Sequence, residues 1–85
     1  MRAVVVYRDN TEHARAVDEF LHFFNSVTGR ELETLSPDTR DGISFCQVYD
    51  IVQYPTVIAL ADDGVMLQKW SGVPLPTVNE VSYYR

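Results

Sequence analysis

The 85-residue chain has one cysteine, Cys46, so it cannot close an internal disulfide, and its fold cannot lean on cystine staples. A lone thiol suits a reducing compartment, and the expected location is cytoplasmic. Lysine is nearly missing too. Seven Lys+Arg face twelve Asp+Glu, for a net charge of −5, and no basic run exists to neutralise a row of phosphates. Nucleic acid is therefore not an expected partner. No stretch approaches the ~20 apolar residues of a membrane span, and the run Ala3–Tyr7 is too short for a signal peptide, so neither export nor a membrane partner is expected. Neither Gly-x-x-x-x-Gly-Lys nor Gly-x-Gly-x-x-Gly occurs, and the aspartates lack calcium-loop spacing. The two histidines, His13 and His22, stand nine positions apart on one anticipated helix, on opposite faces, and cannot share a metal ion. No cofactor or metal is expected.

What is present suits a folded protein: 46% hydrophobic and 22% charged residues, with only four glycines and four prolines. A chain this short builds one core, so residues 1–85 are read as a single domain. Ala3-Val4-Val5-Val6-Tyr7 is an unbroken β-branched run, the pattern of a central strand covered on both faces. A helix is expected from about residue 11, capped either by Asp9 with Glu12 or by Thr11. Val17, Phe20, Leu21, Phe24 and Val27 form its apolar stripe and Gly29 ends it. Arg30–Leu35 alternates as an edge strand. A second helix opens near Asp41-Gly42 and carries Ile43, Cys46 and Tyr49 before Tyr54-Pro55 breaks the chain. Thr56–Ala61 and Val65–Trp70 read as strands joined at Asp62-Asp63-Gly64, and Thr77–Tyr84 as a short closing helix. The order is β-α-β-α-β-β-α.

That order, with Tyr49-Asp50-Ile51-Val52-Gln53-Tyr54-Pro55-Thr56-Val57-Ile58-Ala59-Leu60 and the stretch from Asp63-Gly64 to Trp70-Ser71-Gly72, resembles the thioredoxin-like superfamily over nearly the whole chain. The resemblance implies an α/β fold: a four-stranded mixed sheet with helices on both faces, and a cis peptide bond at Tyr54-Pro55. It also exposes a departure. Family oxidoreductases carry Cys-x-x-Cys between the first strand and first helix, where the helix N-terminus lowers the attacking thiol's pKa. Here Thr11-Glu12-His13-Ala14 falls at that motif, to within a position, and a threonine hydroxyl cannot form a mixed disulfide. Dithiol exchange by the family mechanism is excluded, and no catalytic residue is assigned.

What outlasts the thiols is a surface. In thioredoxin-like proteins the residue before the cis-proline offers its backbone to an extended peptide; here that residue is Tyr54. The resemblance gathers Thr11, His13, Tyr54, Pro55, Gly72 and Val73 around one groove, with an unidentified protein or peptide as partner and a monomer as the favoured state. The same features also fit a fold merely inherited, with no ligand. Cys46, one helical turn from Ile43 and Tyr49, is better explained as a small inward residue than as a redox thiol, although a monothiol or sensor reading stays open. His13 is better explained as a surface residue than as a base. His22 most simply pairs with Asp18. Phe20, Phe23, Phe24 and Phe45 are assigned to the core.

Overall fold

A computed structural model describes residues 2–9, 11–72 and 74–84. Seven elements follow in the anticipated order: β1 (Arg2–Val6), α1 (Ala14–Thr28), β2 (Glu33–Leu35), α2 (Arg40–Val48), β3 (Thr56–Leu60), β4 (Met66–Ser71) and α3 (Val78–Ser82). They build one mixed sheet in the order β2-β1-β3-β4. β1 pairs parallel with β2, Val5 opposite Thr34, and antiparallel with β3, Val5 opposite Val57. β3 and β4 form an antiparallel hairpin, with an irregularity at Ala59/Leu60. The two β-branched runs are therefore the two central strands, and their unbroken apolarity is explained because both of their faces are covered.

Alternation along those strands divides the core in two. Ala3, Val5 and Val57 face α1 and α3, where Val17, Phe24, Val78 and Val81 bury themselves against them. Val4, Val6, Ile58 and Leu60 face the other way, toward Ile51 and the half-buried Phe45, Cys46, Tyr49 and Tyr54. α1 stops where Gly29 turns left-handed at φ 72° and its N–H donates to the Asn25 carbonyl at 2.8 Å. α3 is set by a capping box: the Thr77 hydroxyl accepts from the Glu80 amide and the Glu80 carboxylate accepts from the Thr77 amide.

α1 begins at Ala14, three residues later than anticipated, because Thr11 spends its hydroxyl elsewhere. Its Oγ1 donates to the Arg8 carbonyl at 2.8 Å, which closes the β1–α1 loop and caps nothing. Phe23 is 58% exposed and Val27 57% exposed, contrary to their assignment to the core. At about 100° per residue Phe23 is turned off the stripe that ends with Phe24, and Val27 follows that last buried residue. Ile43 is likewise 49% exposed, so α2 does not bury it. The only buried residue of α2 is Gly42. A Cβ there would stand 1.7 Å from the Ser36 carbonyl oxygen, so the helix starts against the preceding loop at a distance that only glycine allows. Thr39 caps that start, its Oγ1 accepting from the Gly42 amide at 3.0 Å.

Candidate functional site

The segment between α2 and β3 brings the anticipated residues to one end of the sheet. Ile51 returns the chain into the core, with its amide donating to the Cys46 carbonyl at 2.9 Å. The Tyr54–Pro55 peptide bond is cis, and Pro55 is buried. On either side of Tyr54 the backbone is engaged: the Gln53 carbonyl accepts from Thr56 Oγ1, and the Pro55 carbonyl accepts from the Gly72 amide at 2.8 Å. No backbone bond joins the Tyr54 amide or carbonyl to another described residue.

Two open grooves meet at Tyr54. The first, about 350 Å³, is lined by Glu12, His13, Ala16, Tyr54 and Pro55. The second, about 300 Å³, runs along α2 past Ile43, Cys46, Asp50 and Val52 and also ends on Tyr54. Three anticipated residues, His13, Tyr54 and Pro55, thus share one wall. Gly72 supports it from behind through its bond to Pro55, Thr11 is tied back to Arg8 instead of lining the groove, and Val73 lies outside the described residues. Nε2 of His13 is buried with no hydrogen-bond partner among the described residues.

Charge is arranged around the tyrosine. The Arg8 guanidinium sits 5.0 Å from the Tyr54 ring centroid while its Nε reaches Asp38 at 3.1 Å, so this cation on the ring is already paired. Burial, and then the neighbouring Cys46, push the Tyr54 phenol above its ordinary range; Arg8 opposes this and Asp38 adds to it. Cys46 is half-buried, packs at the edge of the second core cluster and touches the site through Tyr54. That proximity had no sign in the sequence: eight positions separate the two residues, and the turn between them sets the distance. The groove residues Glu12, Ala16 and Asp50 were missed for the same reason. Asp18 accepts from the Tyr7 hydroxyl at 3.5 Å, a partner other than the anticipated His22.

The β1–α1 loop, the strand order and the turn before β3 define a thioredoxin-like fold. The chain is similar to thioredoxin 1 from the thermophilic eubacterium Thermosipho africanus TCF52B, with a TM-score of 0.69 and 14% identity over 99% of this chain and 89% of that one. It is also similar to a structure described as that of a malarial protein, with a TM-score of 0.67 and 13% identity over 96% and 89% of the two chains. No family model and no curated protein matches the sequence. Identities this low establish the fold alone. Among the described residues no helix is long and apolar enough to cross a membrane.

Proposed function

We propose that this domain works without dithiol exchange, as a binding module that takes an extended protein or peptide segment in the groove beside Pro55. One observation carries the reading: Tyr54 presents a half-buried ring and a backbone without a described partner at an open groove, between two neighbours whose carbonyls are engaged. An extended segment would add main-chain hydrogen bonds at Tyr54 and seat an apolar side chain against the ring and Pro55. The lone thiol suits a cytoplasmic setting. Titrating ¹⁵N-labelled protein with a capped octapeptide of alternating valine and serine tests this. The amides of Ala16, Tyr54 and Thr56 are expected to shift first, and Tyr54→Ala to weaken binding about tenfold. Shifts confined to α3 and β2, or binding untouched by Tyr54→Ala, would overturn it.

Cys46 supports a second reading, because it borders a groove that opens to solvent. In this reading the Cys46 thiolate attacks glutathione disulfide, forming a protein–glutathione mixed disulfide and releasing one glutathione thiolate. Native alkylation between pH 5 and 9, measured against the denatured protein, separates the two: reaction as fast as the denatured control at pH 6 favours the monothiol, and strong protection excludes it.

A further inference from the structure

Both grooves at Tyr54 contain a carboxylate, Glu12 in one and Asp50 in the other, and among the described residues neither is lined by lysine or arginine. The ion pairs among the described residues are Arg2–Glu33, Arg8–Asp38 and Arg15–Glu19, none of which uses Glu12 or Asp50. Arg8, the cation nearest the ring, is held by Asp38; Lys69 reaches the main-chain carbonyl of Asp50 at 3.3 Å. Besides His13 next to Glu12 and Gln47 in the groove of Asp50, the remaining walls are chiefly apolar: Ala16, Pro55, Ile43 and Val52, the last 78% exposed. A net charge of −5 on 85 residues gives this local excess long reach at low salt.

We infer that the segment taken by the groove is cationic: an extended peptide whose apolar side chains rest on Tyr54 and Pro55 and whose lysines or arginines face Glu12 and Asp50. This rests on the groove reading given above and adds the partner's charge to it. An acidic segment would place its carboxylates against Glu12 and Asp50, where like charges repel. A neutral one would gain only the apolar and main-chain contacts.

Three capped octapeptides in which valine alternates with lysine, serine or glutamate decide the matter, each titrated by NMR at about 20 mM and about 500 mM salt. The lysine peptide is expected to bind about fivefold tighter than the serine peptide at low salt, and the glutamate peptide more weakly than either. High salt should bring the three within about twofold of one another. The double variant Glu12→Gln, Asp50→Asn should erase the lysine advantage, so that the lysine and serine peptides bind it within about twofold of one another; asparagine tolerates the left-handed backbone at position 50, where φ is 53°. If all three peptides shift Tyr54 with equal affinity, the charge inference falls and the groove reading stands. If the lysine peptide binds with no dependence on Tyr54→Ala, or if no peptide binds, both fall.

Discussion

The two faces of the sheet are built from the same kind of strand and closed in different ways. On one, α1 and α3 drive Val17, Phe24, Val78 and Val81 into the strands, and each of these side chains is buried. On the other, α2 contributes no large buried side chain: Phe45 and Cys46 are half-buried, while Ile43 and Val48 are 49% and 72% exposed. Tyr49 braces this thinner cover through its hydroxyl, which donates to the Gly64 carbonyl at 2.7 Å. The contrast assigns different work to the faces. The α1/α3 face carries the sealed half of the core, and the thinner α2 cover leaves one of the two depressions that meet at Tyr54, the one past Ile43, Cys46 and Val52; the other is walled by α1 and the loop before it.

Truncations on the two faces are the strongest way to break that contrast. Phe24→Ala removes a ring from the sealed face and is expected to cost about 4 kcal/mol, a large part of the total for a domain of this size. Ile43→Ala on the open face should cost about 1 kcal/mol, since half of that side chain already meets water. Urea midpoints measure both. Equal losses would show that α2 is as deeply seated as α1, and the division of labour would fail.

Gly42→Ala gives the next largest effect and tests how α2 is held at all. Helix propensity alone favours alanine by about 1 kcal/mol. The contact with Ser36 opposes it, because the new Cβ would overlap the carbonyl oxygen and force the helix start away from the loop. The net expectation is a loss of about 2 kcal/mol, with the amide shifts of 36–46 disturbed and those of α1 unchanged. A stabilised variant would mean that α2 is free to slide over its face.

These results bear on how far the molecule could be read from its residues. The central strands were legible because Val4–Val6 and Val57–Leu60 carry β-branched or aliphatic side chains without polar interruption, and burial on both faces demands that. Capping was less legible: the box at Thr77 and Glu80 went unread, and Thr11 was misread, because its hydroxyl had a nearer carbonyl to bond. Periodicity says which way a side chain points; it does not say whether a partner waits there. Val27 was placed on the apolar stripe by its spacing and Phe23 in the core by its helix, and both are exposed. The groove was half legible. Tyr54 and Pro55 carry a recognisable local signature, but Glu12, Cys46 and Asp50 join them only through the path of the loops.

Each face also carries a tyrosine that reports on it, and this comparison has the smallest expected effect. Tyr7 lies against the sealed face and is raised by burial, then by Asp18 and Asp9; Tyr54 lies on the open face and is raised by burial, then by the Cys46 thiol. A phenol whose folded pKa exceeds its unfolded value of about 10 holds its proton more tightly in the fold. Its contribution to stability is therefore complete below pH 10 and lost as pH rises through the folded value. Ring-carbon NMR titration should find both phenols above the denatured reference. Asp18→Asn should then lower Tyr7 alone, and Cys46→Ala should lower Tyr54 alone. A Tyr54 that ignores Cys46→Ala would separate the thiol from the groove and leave the peptide site standing without it. A Tyr7 that responds to the cysteine would couple the faces through the sheet, and the two could no longer be treated as independent.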